Sequence, residues 1–226
     1  MVITVDGLAS SGKTTLSRLL AERLGFEHLN SGLLYRAVGW LSLRAGVKLS
    51  DPEAVTGALE GHTLALRRPG VVEIDGTERG IELQVPAVSE ATSITAQYPA
   101  VRDRLFAGQR EAFPGRNLVA EGRDMGTVVF PDAPLKFFVT APSEVRARRR
   151  LEQLEAREGE VGPERRRALA ESLQQEIVER DARDSQRLVA PTRPAAGAIL
   201  IENGVRSAEA VVEEMVGIVR AHGLTP

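Results

Sequence analysis

The chain has 226 residues, no cysteine, 29 basic against 31 acidic side chains and 42% hydrophobic residues, enough for one large domain and incompatible with a disordered or collagen-like polymer. Disulfide frameworks, iron–sulfur clusters and thiol nucleophiles are excluded, and His28, His62 and His222 lie too far apart in sequence to suggest a metal site. The formal charge of -2 gives no global field for nucleic acid, no apolar run is long enough to span a bilayer, and the opening MVITVDG lacks the charged region of a secretory leader; a cytoplasmic location is expected.

Met1 to Val5 reads as a short strand buried in a parallel sheet, followed by a small-residue loop that ends at Gly12. Leu16, Leu19, Leu20 and Leu24 then recur at helical spacing, with Gly25 placed to end the helix, and Phe26 to Leu29 reads as the next strand. From His62 to Gly80 the rhythm changes. Leu64 and Leu66 alternate before Arg67-Arg68-Pro69-Gly70, and Val72 and Ile74 before Asp75-Gly76, which predicts a small antiparallel insertion. Pro86 and Pro99 open two helical stretches. Apolar runs at Asn117 to Ala120, Leu135 to Val139 and Ala198 to Ile201 complete five predicted core strands, alternating with helices as in an α/β fold with a largely parallel sheet. Arg146 to Arg167 reads as two charged helical arms joined by a turn at Gly159 and Gly162, and the last helix, with Val211, Val212, Met215, Ile218 and Val219, as packing.

The residues Gly7-Leu8-Ala9-Ser10-Ser11-Gly12-Lys13-Thr14 match G-x-x-x-x-G-K-[ST] between a strand and a helix. Glycines at both ends let successive N–H groups turn inward around phosphate oxygens at the positive end of the helix. Lys13 would reach the β and γ phosphates, and Thr14 would offer its hydroxyl to magnesium, with Thr15 as a neighbouring candidate. Lys13 is one of only three lysines against 26 arginines. A GTPase would carry a guanine-reading Asn-Lys-x-Asp, and a motor ATPase an apolar strand ending in Asp-Glu; neither is present. A small-molecule kinase needs a second pocket rich in planar cationic donors, which the arginines can supply.

The second strand leads into Asn30-Ser31-Gly32-Leu33-Leu34-Tyr35-Arg36, at the sheet edge where open α/β folds bind ligands. Together with the phosphate loop, with Glu121-Gly122-Arg123-Asp124-Met125-Gly126-Thr127-Val128-Val129-Phe130-Pro131-Asp132-Ala133-Pro134, and with Arg180-Asp181-x-Arg183-Asp184-x-x-Arg187 before Ala190-Pro191, this resembles the nucleoside monophosphate kinases, and most closely the bacterial cytidylate kinases. The resemblance runs the whole length. It implies the P-loop kinase fold: a five-stranded parallel sheet flanked by helices, with core segments 1–34, 85–145 and 184–226, an acceptor-binding region 35–84 carrying the β insertion near 62–80, and a helical lid over 146–183.

The resemblance further implies a magnesium-dependent, ATP-driven phosphorylation of CMP and dCMP by direct in-line transfer, in a monomer that needs neither nucleic acid nor membrane. Lys13, Arg123 and Arg187 would be catalytic. Residues 7–15, together with Arg149, would bind ATP. Arg36 and Arg123 would hold the acceptor phosphate, with Ser31, Arg102 and Asp124 around the pyrimidine, Tyr35 beside them, and Ser93, Arg180 and Asp184 along the sugar. Arg146, Arg148, Arg149 and Arg150 resemble the base of the lid, while the acidic residues that follow, Glu152, Glu155, Glu158 and Glu160, oppose an RNA track. Leu8, Ser10, Asn30 and Glu121 depart from the family's usual residues.

Two readings come from the residues themselves. From Pro163 the stripe Leu169, Leu173 and Ile177 turns charged through Arg180, Asp184 and Arg187, as expected where a helix leaves the core to border a polar cleft. Asp124 can accept from the exocyclic amino group that cytosine has and uracil lacks, while Arg102 donates to ring acceptors. The alternatives are a kinase for UMP, AMP or dTMP, or a nucleotide-binding module without chemistry.

Overall fold

A computed structural model describes residues 1–224, with Glu158 described in its backbone alone. The apolar run at the start forms β1 (Val2–Gly7), whose side chains from Ile3 onward are all buried. Helix α1 (Lys13–Leu24) follows and closes on Gly25, whose left-handed backbone (φ 67°) returns its N–H to the last carbonyls of the helix. Next come β2 (Glu27–Asn30), α2 (Gly32–Arg44) and the short α3 (Pro52–Gly57), capped by the Asp51 side chain. The predicted insertion is a three-stranded antiparallel sheet, β3 (Leu64–Arg68), β4 (Val71–Ile74) and β5 (Thr77–Arg79), one strand more than the alternation at residues 64–74 indicates.

A 3₁₀ turn at Ile81–Gln84 leads to α4 (Pro86–Thr95) and α5 (Pro99–Arg110), each opened by its proline. Then follow β6 (Leu118–Glu121), a π-helical turn at Met125–Val129, and β7 (Leu135–Thr140). The two charged arms are α6 (Ser143–Glu158) and α7 (Pro163–Ser185), and the chain ends with β8 (Ile199–Glu202) and α8 (Ala208–Ala221).

All five core strands form one parallel sheet in the order β2-β6-β1-β7-β8. One face packs on α1 and α8 through Leu16, Leu20, Phe137, Val212 and Met215. The other face carries α2, α4, α5 and the small sheet in a second continuous cluster that runs from Leu29 and Leu34 through Leu66 and Ile74 to Val101 and Leu105. Packing is therefore continuous across the boundary drawn at residue 84: α4 and α5 sit with α2 and the small sheet, because α2 buries its apolar face against them. Gly39 permits that approach, since a Cβ there would stand 2.9 Å from the Thr92 nitrogen. Leu43 of α2 points away from this core and is exposed.

The arms form a third, much smaller cluster of Ala147, Leu151, Leu173 and Ile177. Residues 225 and 226 of the predicted core segment lie outside the described residues. Among the described residues no helix is long and apolar enough to cross a membrane. Because every core strand is parallel, β1, β2 and β6 deliver the phosphate loop, Ser31 and the Arg123-Asp124 segment to the same edge of the sheet.

Candidate active site

The phosphate loop leaves β1 through Gly7, where a Cβ would collide with the Val139 carbonyl at 2.2 Å, and enters α1 through Gly12 at φ 85°, where it would collide with the Asn203 amide at 2.4 Å. Both positions admit only glycine. Ala9, Ser10, Gly12, Lys13, Thr14 and Thr15 line a cleft of ≈ 1100 Å³. Gly7, Leu8 and Ser11 shape its floor through their backbones: the Leu8 carbonyl accepts from Lys13 Nζ at 3.2 Å, and the Ser11 carbonyl accepts from Asn203 Nδ2 at 2.8 Å and Arg149 Nη1 at 3.3 Å. Burial, with Arg123 and Arg180 nearby, lowers the Lys13 ammonium to about 7.

Thr14 Oγ1 donates to Glu121 Oε1 at 2.8 Å, and Glu121 Oε2 lies 3.3 Å from His28 Nε2. Burial alone would raise Glu121, yet the hydrogen bonds and charges of His28, Lys13 and Thr14 hold it below the usual carboxylate range. An ionised carboxylate beside a hydroxyl at the phosphate loop is an oxygen donor pair of the kind magnesium takes. Among the described residues no group of three or more His, Cys, Asp or Glu could cage an ion. Magnesium characteristically keeps water and draws further ligands from nucleotide phosphates, and the Thr14 and Glu121 oxygens fit it.

A second cavity of ≈ 160 Å³ shares Lys13, Thr14, Arg36, Ser93, Arg123 and Arg180 with the cleft. Beyond that wall it is lined by Ser31, Tyr35, Arg102, Glu121, Asp124, Asp184 and Arg187. Ser31 Oγ donates to the Glu121 carbonyl at 2.8 Å, a fit that requires Gly122, where an added Cβ would stand 2.7 Å from Ser31 Oγ. Arg102 donates to Asp124 and, through Nη1, to the Ala96 carbonyl at 3.2 Å, with its guanidinium 5.4 Å from the centre of the Tyr35 ring. The Arg102 and Asp124 side chains are only 8% and 3% exposed, so this is a buried ion pair and not a surface one. Burial also raises the Tyr35 hydroxyl to about 12, which keeps it neutral.

Arg36 donates to the Leu83 carbonyl at 2.8 Å and to Ser89 Oγ at 2.9 Å. Arg123 Nε donates to Asp184 Oδ2 at 3.2 Å. Arg180 Nε is buried without a hydrogen-bond partner, 3.9 Å from the same carboxylate. Burial and neighbouring arginines lower Arg36 and Arg180 to about 10. Asp184, despite burial that would raise it, is held below its ordinary value by Arg123, Arg180 and Arg187. Three crowded guanidiniums and Lys13 thus face the shared wall, with Asp184 and Glu121 as the carboxylates beside them. An incoming phosphate would relieve their mutual repulsion.

One sequence expectation is corrected. Helix α7 ends at Ser185, so Arg187 does not continue the helical stripe. It returns to the pocket because the chain folds back, the Thr192 N–H donating to the Asp184 carbonyl at 2.9 Å while Arg187 donates to that carbonyl and to Thr192 Oγ1, both at 3.1 Å. Arg187 lines the smaller cavity and not the larger cleft. In the run Arg146, Arg148, Arg149 and Arg150, only Arg149 and Arg150 line the cleft. Successive helical residues point about 100° apart, so four of them cannot share a face. Arg148 is exposed against Glu152, and Arg146 is buried under the phosphate loop.

Ser93 accepts from Arg183 Nη1 at 3.1 Å. At the far end of α6, Arg157 donates to the Gln84 carbonyl at 2.7 Å, the peptide next to the one that holds Arg36. Sequence reasoning missed three polar residues that organise the site. Asn203 holds the Ser11 carbonyl, and Asp6 accepts the Met125 and Gly126 N–H groups at 2.8 Å each. Asp181 accepts the Ala9 N–H at 3.1 Å. Asp6 was adjacent to the motif, but its partners lie more than 100 residues away and are backbone groups, which leave no mark in side-chain pattern.

The cytidylate kinase family model matches residues 3–221. A cytidylate kinase of Pseudomonas aeruginosa (strain LESB58) is 41% identical over 95% of this chain and 93% of its own. That of Nocardia farcinica is 40% identical over 97% and 93%, and that of Pelotomaculum thermopropionicum 41% identical over 97% and 96%. Among solved structures, an uncharacterized protein from Eubacterium ventriosum superposes with a TM-score of 0.50 at 10% identity, covering 98% of this chain and 99% of that one; this likeness concerns the fold alone.

Proposed function

The chain belongs to the cytidylate kinase family, and from that premise we propose that it transfers the γ-phosphoryl group of ATP to CMP and dCMP, yielding ADP with CDP or dCDP. The observation that carries the reading is the wall common to both cavities, where Lys13, Arg36, Arg123 and Arg180 stand between a phosphate loop and a pocket that ends in the Arg102–Asp124 pair. A donor nucleotide on one side and an acceptor on the other would meet phosphate to phosphate at this wall.

Phosphoryl transfer runs through a loose transition state, so positioning and charge neutralisation carry the catalysis. The loop N–H groups and Lys13 hold the donor phosphates, and Arg149 and Arg150 cover them from the lid. Arg36 and Arg123 fix the acceptor phosphate, already an anion and in no need of a strong base. Ser93, Arg180 and Asp184 border the sugar. Arg187 stands with Arg102, Asp124, Ser31 and Tyr35 at the base end, where Asp124 accepts from the cytosine amino group and Arg102 donates to ring acceptors. Thr14 and Glu121 would hold magnesium, which when bound supplies charge neutralisation on the transferring phosphates. Closure of α6 and α7 keeps water from competing as acceptor.

The test is ADP formation from magnesium-ATP with CMP, dCMP, UMP, AMP, dTMP or no acceptor. Turnover confined to CMP and dCMP is expected. Efficient use of another monophosphate would overturn the base-reading assignment, and acceptor-independent turnover would overturn the kinase reading.

A further inference from the structure

Arg146 and Asp181 occupy the roots of the two lid helices, the first turn of α6 and the last turn of α7, and they meet at the same loop residue. Asp181 Oδ1 accepts the Ala9 N–H at 3.1 Å, while Arg146 Nη1 donates to the Ala9 carbonyl at 3.0 Å and to Asp181 Oδ2. Arg146 Nε is fixed in turn on the Ala141 carbonyl at 2.9 Å. Both polar groups of one peptide-bearing residue are thus held by a charged pair whose side chains are 6% and 16% exposed. Neither side chain lines the cleft, although Ala9 does.

We infer that Arg146 and Asp181 are positioning residues that hold the rim of the phosphate loop in its binding shape at Ala9 and tie it to the stationary base of the lid. A phosphate cradle works through N–H groups that already converge, and Ala9 sits beside Ser10, whose φ of 54° is left-handed and costs energy for a non-glycine residue. Such a conformation persists only where its surroundings over-determine it, and the two bonds to Ala9 supply that constraint immediately upstream. Because the pair bridges α6 to α7, it also places the pivot of any lid motion at the loop itself, so the distal parts of the arms move while the phosphate site stays formed. Neutralisation of Asp181 by Arg146 lets a carboxylate stand next to a polyphosphate site without repelling the ligand.

The inference rests on the reading of the loop as an ATP site, and its experiment separates the two. Magnesium-ATP and, separately, CMP are titrated calorimetrically into the full-length protein and into Asp181→Ala and Asp181→Asn. The expected result is ATP affinity weakened by about tenfold in Asp181→Ala, with CMP affinity within about twofold of the parent. Asp181→Asn, which keeps an oxygen for the Ala9 N–H, should recover most of the loss. Unchanged ATP affinity, equal weakening of both ligands, or no recovery in the asparagine variant would overturn the assignment. If Asp181→Ala fails to fold because it strands a buried guanidinium, the double variant Arg146→Met/Asp181→Leu, which leaves no charge unpaired, is judged by the same ATP and CMP criteria. CMP-dependent ADP formation by the parent is measured alongside; its absence would fail the kinase reading, while the ATP titration still decides the role of the pair.

Discussion

Lys13 stands where a cation is needed, yet in the ligand-free protein burial and the arginines around it bring its ammonium down to about 7. A polyphosphate beside it favours the charged form, so at pH 8 ATP binding should draw in close to one proton, and affinity should weaken as pH rises above 7. Calorimetry in two buffers of different ionisation enthalpy reads that uptake directly, and a Lys13→Ala variant should lose the proton linkage together with about 10²- to 10³-fold in turnover. The lysine was legible because its chemistry is encoded by neighbours in sequence, two glycines and a threonine at fixed offsets. Arg123 and Asp124 were legible for the same reason. Asp181 and Asn203 were not, because each serves a single peptide of a loop more than 170 residues away, and a polar residue on a helix or after a strand has many ordinary uses.

Between elements, the decisive joint is the one from β1 to the π-helical turn. Asp6, at the end of β1, accepts two N–H groups from Met125 and Gly126 and so fixes where the chain emerges from Arg123 and Asp124. Burial raises its carboxyl from 3.8 to about 6. The fold therefore keeps that proton over a range in which the unfolded chain has lost it. The resulting penalty on stability is absent below pH 4, grows between pH 4 and 6, and is complete above 6, amounting to about 3 kcal/mol at the usual conversion of pKa units to free energy. Asp6→Asn removes the titration. Urea unfolding of variant and parent at pH 4 and pH 7 should show their difference moving in favour of the variant by about that amount on going to pH 7; a difference independent of pH would show that Asp6 does not titrate there. The element pattern itself was largely readable: five apolar runs became five strands, and two prolines opened two helices. The third strand of the insertion escaped because Thr77–Arg79 is short and polar, and Arg187 left its helix because the fold-back onto Thr192 is tertiary.

At the scale of the molecule, two large cores flank the sheet, while among the described residues the arms α6 and α7 have four buried apolar residues of their own. So little buried surface gives α6 and α7 a low cost of local opening. Amide exchange should be faster in their distal turns than in α1 or α8, and ATP with CMP together should slow it by about tenfold or more, since closure then carries contacts from both nucleotides. Equal protection in all four helices would argue against a mobile lid. The parallel sheet also constrains how the protein is made. Val2 pairs with Leu118 and Ile3 with Leu135, so during translation the first strand emerges from the ribosome long before either neighbour exists, for on the order of ten seconds at ordinary elongation rates. Throughout that interval an apolar strand with two unsatisfied edges must be shielded by transient collapse or by a chaperone. Asn203 reaches the phosphate loop later still, so a nascent chain arrested within β7 would have its P-loop sequence complete and its ATP site unbuilt.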